Sequence, residues 1–218
     1  MKILILGGTG RTGIWTVKEA IARGHEVVAL ARNPTKIPYR FDRLTIIKGT
    51  PEDQEAIAKA IQGCNAVIST LNISRKSDFP WAKLRTPQDF LARMISLLIP
   101  LCTTNGINRL IIVSAWGARE SNQEIPGWFR WFINNSNIGY AYKQHGLQEE
   151  MLEKSELNWT SVRPVGLTNS KKRKEIRVSF HGKPKPKLTI SRRNVARFML
   201  DALEKELYIK EKPTISEI

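Results

Sequence analysis

Two cysteines in 218 residues, Cys64 and Cys102, are too few for a disulfide framework. No apolar run approaches the ~18 residues of a membrane span, and no internal repeat or low-complexity tract is present. Zinc-finger spacing, an RNP-like aromatic strand and a heptad zipper are all missing, so neither a metal nor a nucleic-acid partner is expected. Acidic residues are scarce, 20 against 35 Lys and Arg, for a formal charge of +15 and a pI near 10.1. The halves carry roughly +8 and +7 by count, so the excess is spread along the chain and not held in a tail. The densest run, Lys171 to Lys174 (KKRK), reads as a solvated loop.

What is present, 41% hydrophobic and 25% charged residues, suits a soluble globular protein long enough for one domain. The first strand candidate begins at Lys2, which leaves no room for a signal peptide, and a cytoplasmic location without a membrane partner is expected. Short Ile- and Val-rich runs (Ile3 to Leu6, Glu26 to Ala31, Leu44 to Lys48, Ala66 to Thr70, Arg109 to Ser114, Thr160 to Arg163) alternate with helical patterns (Gly13 to Arg23, Pro51 to Ile61, Pro87 to Asn105, Tyr142 to Ser155). Gly24, Gly63 and Gly106 stand where the first three helices should stop. Beyond Arg163 the pattern loosens into a short strand and loop, and a last helix spans about Arg192 to Lys205. Such alternation predicts a doubly wound parallel α/β sheet of Rossmann type. It is expected as one compact domain over 1–218, with a small substrate-side region from about 164 onward.

Between the first strand and first helix stands GGTGRTG, residues 7–13. Glycines 7, 10 and 13 suit a tight turn in which bare backbone approaches a pyrophosphate at a helix N-terminus. The second strand ends without an acid between Glu26 and Asp42. Arg32 and Lys36 occupy the place that would hold a ribose 2′-substituent, and Arg11 adds a third cation. Guanidinium groups there favour the 2′-phosphate of NADP(H) over NADH.

GGTGRTG, ARNPTK, AVISTLN, IIVSAWG and the stretch LEKSELNWTSVRPVGLT followed by ISRRNVARFML together resemble the atypical short-chain dehydrogenases. Within them the NmrA-like, NAD(P)H-binding group with biliverdin IXβ/flavin reductases is most similar. The resemblance implies that Gly7, Thr9, Gly10, Arg11, Thr12 and Gly13 line the pyrophosphate and that Arg32 and Lys36 hold the 2′-phosphate. It further implies that Thr50 and Pro51 flank the adenine, that Leu71, Asn72 and Arg75 run beside ribose and phosphates, and that Pro164, Val165 and Gly166 meet the nicotinamide carboxamide. Thr50 replaces the aspartate that such proteins commonly use for the adenine.

The Tyr-x-x-x-Lys pair of most short-chain dehydrogenases is missing from the helix: Tyr140 is followed by Gln144 and Tyr142 by Gly146. Tyr208 and Lys212 share the spacing but fall in the tail, expected away from the ligand edge. Ser114 at the end of the fifth strand, with His145 and Tyr142 on one helix face, forms the candidate catalytic set. In the resembling reductases the serine and histidine positions line the nicotinamide pocket. Trp128, Phe129, Trp131 and Phe132 form a helix-spaced aromatic stripe, readable as core or dimer contact. With Trp116 it also reads as a wall for a flat acceptor, with cations for an anionic group. Two functions remain: an NADPH-dependent reductase of a flavin, quinone or bilin, and an NmrA-like NADP(H) sensor without turnover. A monomer or homodimer is expected.

Overall fold

In a computed structural model, whose residues 1–34 and 41–218 are described, apolar runs become strands because both their faces are covered. In β1 (Lys2–Leu6), Ile3 and Ile5 face one helical layer while Leu4 and Leu6 face the other, and all four are fully buried. A half-exposed strand would alternate apolar with polar residues. The sheet continues through β2 (Glu26–Ala31), β3 (Leu44–Lys48), β4 (Ala66–Ser69), β5 (Arg109–Val113) and β6 (Asn158–Pro164). Its helices are α1 (Gly13–Ala22), α2 (Gln54–Ile61), α3 (Phe90–Thr104), α4 (Gly127–Asn134) and α5 (Ile138–Glu153). Gly24, Gly63 and Gly106 take positive φ (+85°, +67°, +68°) after α1, α2 and α3, the left-handed stop their sequence positions predict.

The expected helix from Pro51 begins instead at Gln54, where the Asp53 side chain accepts from the Ala56 N–H at 3.0 Å and caps it. The fifth helix starts earlier than its pattern suggests, at Ile138. The loose C-terminal stretch holds β7 (Gly166–Thr168), β8 (Ile176–Ser179) and β9 (Thr189–Ser191), then α6 (Arg192–Glu204) and β10 (Thr214–Glu217).

Strand order is β3-β2-β1-β4-β5-β6-β10-β8, parallel throughout except the last pair, while β7 and β9 form a separate parallel pair. One layer packs α2, α3 and α5 against the sheet, the other α1 and α6. β10 is unforeseen in the sequence; the chain's last residues lie parallel beside β6, with Thr214 opposite Arg163. Arg109 at the start of β5 ties this tail down, donating from Nη2 to the carbonyls of Ala202 and Leu207, each at 2.9 Å. Among the described residues no helix is long and apolar enough to cross a membrane.

Candidate cofactor cleft and active site

Because β1 to β6 are parallel, the loops following them share one edge, and the order reverses between β1 and β4. That switch point is where open α/β sheets bind ligands. The Gly7 carbonyl accepts from the Gly10 N–H at 2.8 Å, and the Gly10 carbonyl from Ile14 at 2.9 Å, turning the chain directly into α1. Gly7 has φ +79°, and a Cβ there would stand 2.8 Å from Thr70 Oγ1; at Gly13 it would stand 2.0 Å from the Gly7 carbonyl oxygen. Only bare backbone fits, and the Thr12 side chain makes no cap at the helix start. This cradle suits a dinucleotide pyrophosphate.

Around it, Arg32 is exposed after β2 and Thr50 and Pro51 are half-buried after β3. Lys36 lies outside the described residues. Leu71 is buried after β4, with Asn72 beside it at the surface. Arg11 forms an exposed bidentate pair with Asp78 at 2.7 and 2.9 Å, which lowers the Asp78 carboxyl below its usual range. Arg75 stands close enough to act electrostatically on Asp78 and Tyr142, and its Nε has no hydrogen-bond partner among the described residues. Val165 is buried beside β10, its N–H donating to the Ile215 carbonyl, and Pro164 accepts from the Trp116 N–H. A Cβ on Gly166 would meet the Leu188 carbonyl at 2.8 Å.

Ser114 is buried at the end of β5, and its hydroxyl donates to Glu149 Oε1 at 2.8 Å. Glu149, fully buried on α5, also accepts from the Ser161 hydroxyl (2.9 Å) and from Arg163 Nε (2.8 Å) and Nη2 (2.6 Å). Arg163 pairs onward with Glu120 at 2.9 Å, and Lys212 bridges Glu120 to Glu153. Burial alone would raise the Glu120 carboxyl, but hydrogen bonds from Arg163 and Lys212 hold it down to about 2. Arg163 and Glu149 thus form a charge-assisted buried pair beneath Ser114. The serine's proton is committed to the carboxylate, leaving its lone pairs for a ligand. Glu149 and Arg163 escaped the sequence reading because 35 residues separate Glu149 from Ser114 and no motif marks the pair.

His145 is buried on the same helix. Its Nε2 lies 3.2 Å from Asn72 Oδ1, an oxygen that also accepts from the Ile73 N–H, so Nε2 carries the ring proton. Nδ1 lies 3.3 Å from Gln148 Oε1; with the proton on Nε2, a half-turn of that amide brings its N–H to Nδ1 as donor. Burial drives the imidazole down to about 4 against the pull of Glu149, leaving it neutral near pH 7. Tyr142, one turn earlier, has its phenol raised by burial, opposed only by Arg75. No lysine sits one turn beyond it to lower that value.

Of the expected aromatic wall, Phe129 meets the Tyr142 ring edge-on at 6.1 Å. Trp116 is buried, its indole N–H donating to Glu124 at 3.1 Å, while Trp128 and Trp131 point to solvent and are not core. The backbone of Tyr208 lies beside Thr160 near the amino end of β6, and Lys212 is engaged with Glu120 and Glu153. That spacing is therefore no Tyr-Lys pair.

Cradle, switch point and strand order define a Rossmann-type dinucleotide-binding protein. A family model described as NAD(P)H-binding matches residues 7–206, and the chain belongs to that family. Phenylcoumaran benzylic ether reductase TP7 of Nicotiana tabacum is 37% identical over 86 residues, covering 35% of this chain and 28% of that protein. Photosystem II assembly factor Ycf39 of Trieres chinensis is 37% identical over 84 residues, 38% of this chain and 26% of that protein. The match thus spans about a quarter of these curated relatives' length. ChuY, an anaerobillin reductase from Escherichia coli O157:H7, superposes with TM-score 0.80 over 100% of this chain and 97% of its own, at 20% identity. A short-chain dehydrogenase/reductase from Veillonella parvula in complex with NADP does so with TM-score 0.77 over 99% and 94%, at 18% identity. At such identities the likeness is one of fold.

Proposed function

We propose that the protein is an NADPH-dependent reductase of a flat, conjugated acceptor such as a flavin, quinone or bilin. The observation that carries this reading is that none of the three candidate catalytic side chains is set up to give a proton. Ser114 has committed its proton to Glu149, His145 is neutral with its one N–H on Asn72, and the Tyr142 phenol is raised. Reducing an isolated carbonyl calls for an acid near the oxygen. A conjugated acceptor spreads the incoming charge over its ring system and takes its proton from water.

NADPH, when bound, supplies the hydride. The chain's own residues bind and orient: the 7–13 loop meets the pyrophosphate, Arg32 and Lys36 the 2′-phosphate, and Thr50 and Pro51 the adenine. Leu71, Asn72 and Arg75 flank the middle of the cofactor, while Pro164 to Gly166 meet the carboxamide. Ser114, held by Glu149, accepts a hydrogen bond at the nicotinamide end. Phe129 and Tyr142 wall the acceptor, and the region from about 164 onward closes its side. The fold resemblance to ChuY and the partial likeness to TP7, both reductases by name, support the same class.

The test is oxidation of NADPH by purified protein with flavin mononucleotide, riboflavin, biliverdin, a benzoquinone and a dichlorophenol dye. Saturable turnover of one of them, lost on heating, is expected. Tight NADPH binding with no acceptor reduced would replace this reading by the sensor, and a search for its protein partner would follow.

A further inference from the structure

Every exposed aromatic side chain among the described residues lies in one area: Phe79 (61% exposed), Trp81 (43%), Trp128 (62%), Trp131 (55%) and Tyr140 (36%). The ring of Phe132 joins them, 5.8 Å from Trp81, 6.3 Å from Trp128 and 5.4 Å from Trp131, and Phe79 adjoins Trp81 at 5.3 Å. The patch is anchored. The Trp81 indole N–H donates to the Asn135 carbonyl at 2.7 Å, and the Asn137 amide returns a bond to the Trp81 carbonyl at 3.0 Å. Beside these bonds opens a groove of about 470 Å³ lined by Trp81, Tyr140 and Lys143. Exposed apolar surface that is contiguous and held in place marks an interaction site.

Charge narrows the partner. The two stretches that build the face, residues 79–88 and 125–148, contain no Asp or Glu but carry Lys83, Arg85, Arg130 and Lys143. Arg85 and Arg130 donate to the backbone carbonyls of Lys76 and Asn122, so their charges are not neutralised. Four acids adjoin these stretches: Asp78 is engaged by Arg11, Asp89 by Arg93 and Glu149 by Arg163, and Glu124 accepts from the Trp116 indole. A second copy would set these cations against their own images in a chain of net charge +15. We propose that the face docks on an anionic phospholipid bilayer. Trp and Phe rings settle at the headgroup level while Lys and Arg stems reach the lipid phosphates. The missing membrane span concerns crossing a bilayer; lying on one needs only this rigid aromatic and cationic surface.

Vesicle binding is read without turnover, so the proposal stands or falls apart from the reductase reading. The full chain is sedimented with vesicles of phosphatidylcholine alone and of phosphatidylcholine mixed with phosphatidylglycerol, with tryptophan emission followed in parallel. Binding to the mixed vesicles, weakened by salt and accompanied by a blue shift, is expected. Trp128→Ala/Trp131→Ala should weaken it about tenfold or more while leaving the melting curve unchanged, since both rings are exposed. Lys83→Glu/Lys143→Glu should remove the preference for the anionic lipid. Failure of the wild type to bind at low salt overturns the proposal. So does equal binding by the tryptophan variant, which would mean adsorption by net charge, and so does a dimer abolished by that variant without vesicle binding.

Discussion

Lowering the pH from 7 to 4.5 should destabilise the protein through one buried side chain. His145 is neutral in the fold with a value of about 4, against 6.5 when free, so the unfolded chain takes up a proton there before the folded one does. A base depressed by folding contributes stability that is complete above 6.5 and is lost as pH falls toward 4. At about 1.36 kcal/mol per pH unit, the interval from 6.5 to 4 corresponds to about 3 kcal/mol. Most of it is lost by pH 4.5; Glu120, Glu153, Glu204 and Glu217, whose carboxyls folding holds below 4.5, begin to lose their own contribution in the lower part of this window, and do so alike with or without the imidazole. The assay is urea unfolding at closely spaced pH values, for the wild type and for His145→Gln, which keeps a neutral polar group between Asn72 and Gln148. The wild-type unfolding free energy should fall by about 2 to 3 kcal/mol across this window more than that of the variant. Parallel profiles for the two proteins would refute the buried, neutral imidazole and with it the argument that His145 has no proton to give.

Glu149→Gln should cost about 3 to 5 kcal/mol in chemical denaturation, because Arg163 remains buried with only Glu120 as a charged partner; a loss under 1 kcal/mol would show that the pair is not load-carrying. Arg32→Ala should weaken NADPH binding by about 1 to 3 kcal/mol, the loss of a charged hydrogen bond, and leave NADH nearly untouched; equal losses by calorimetry would refute the 2′-phosphate assignment. Ser114→Ala should lower turnover of the accepted substrate with little change in NADPH affinity, and an unchanged rate would remove the serine from the site.

The nucleotide cradle and the parallel sheet were legible because their causes are local. A glycine such as Gly13, whose Cβ would strike the backbone six residues earlier, cannot vary freely, and strands covered on both faces must be apolar throughout. Tyr-Lys absence is equally a matter of spacing. The aromatic stripe of α4 was ambiguous, since periodicity shows that a helix has an apolar side without showing what covers it. Only the position of α4 at the rim of the fold leaves Trp128 and Trp131 in solvent.

By itself, then, the sequence determined the fold class, the glycine loop after β1, the cation that follows β2 and the missing Tyr-Lys spacing, all of them written in neighbouring residues. Tertiary structure alone decided that Glu149 and Arg163 lie beneath Ser114, that His145 is buried and neutral, and that the last residues form β10 against β6. Protonation and hydrogen-bond direction depend on groups brought within hydrogen-bond reach by folding, and partners 14, 35 or 73 residues apart along the chain leave no periodic trace in it.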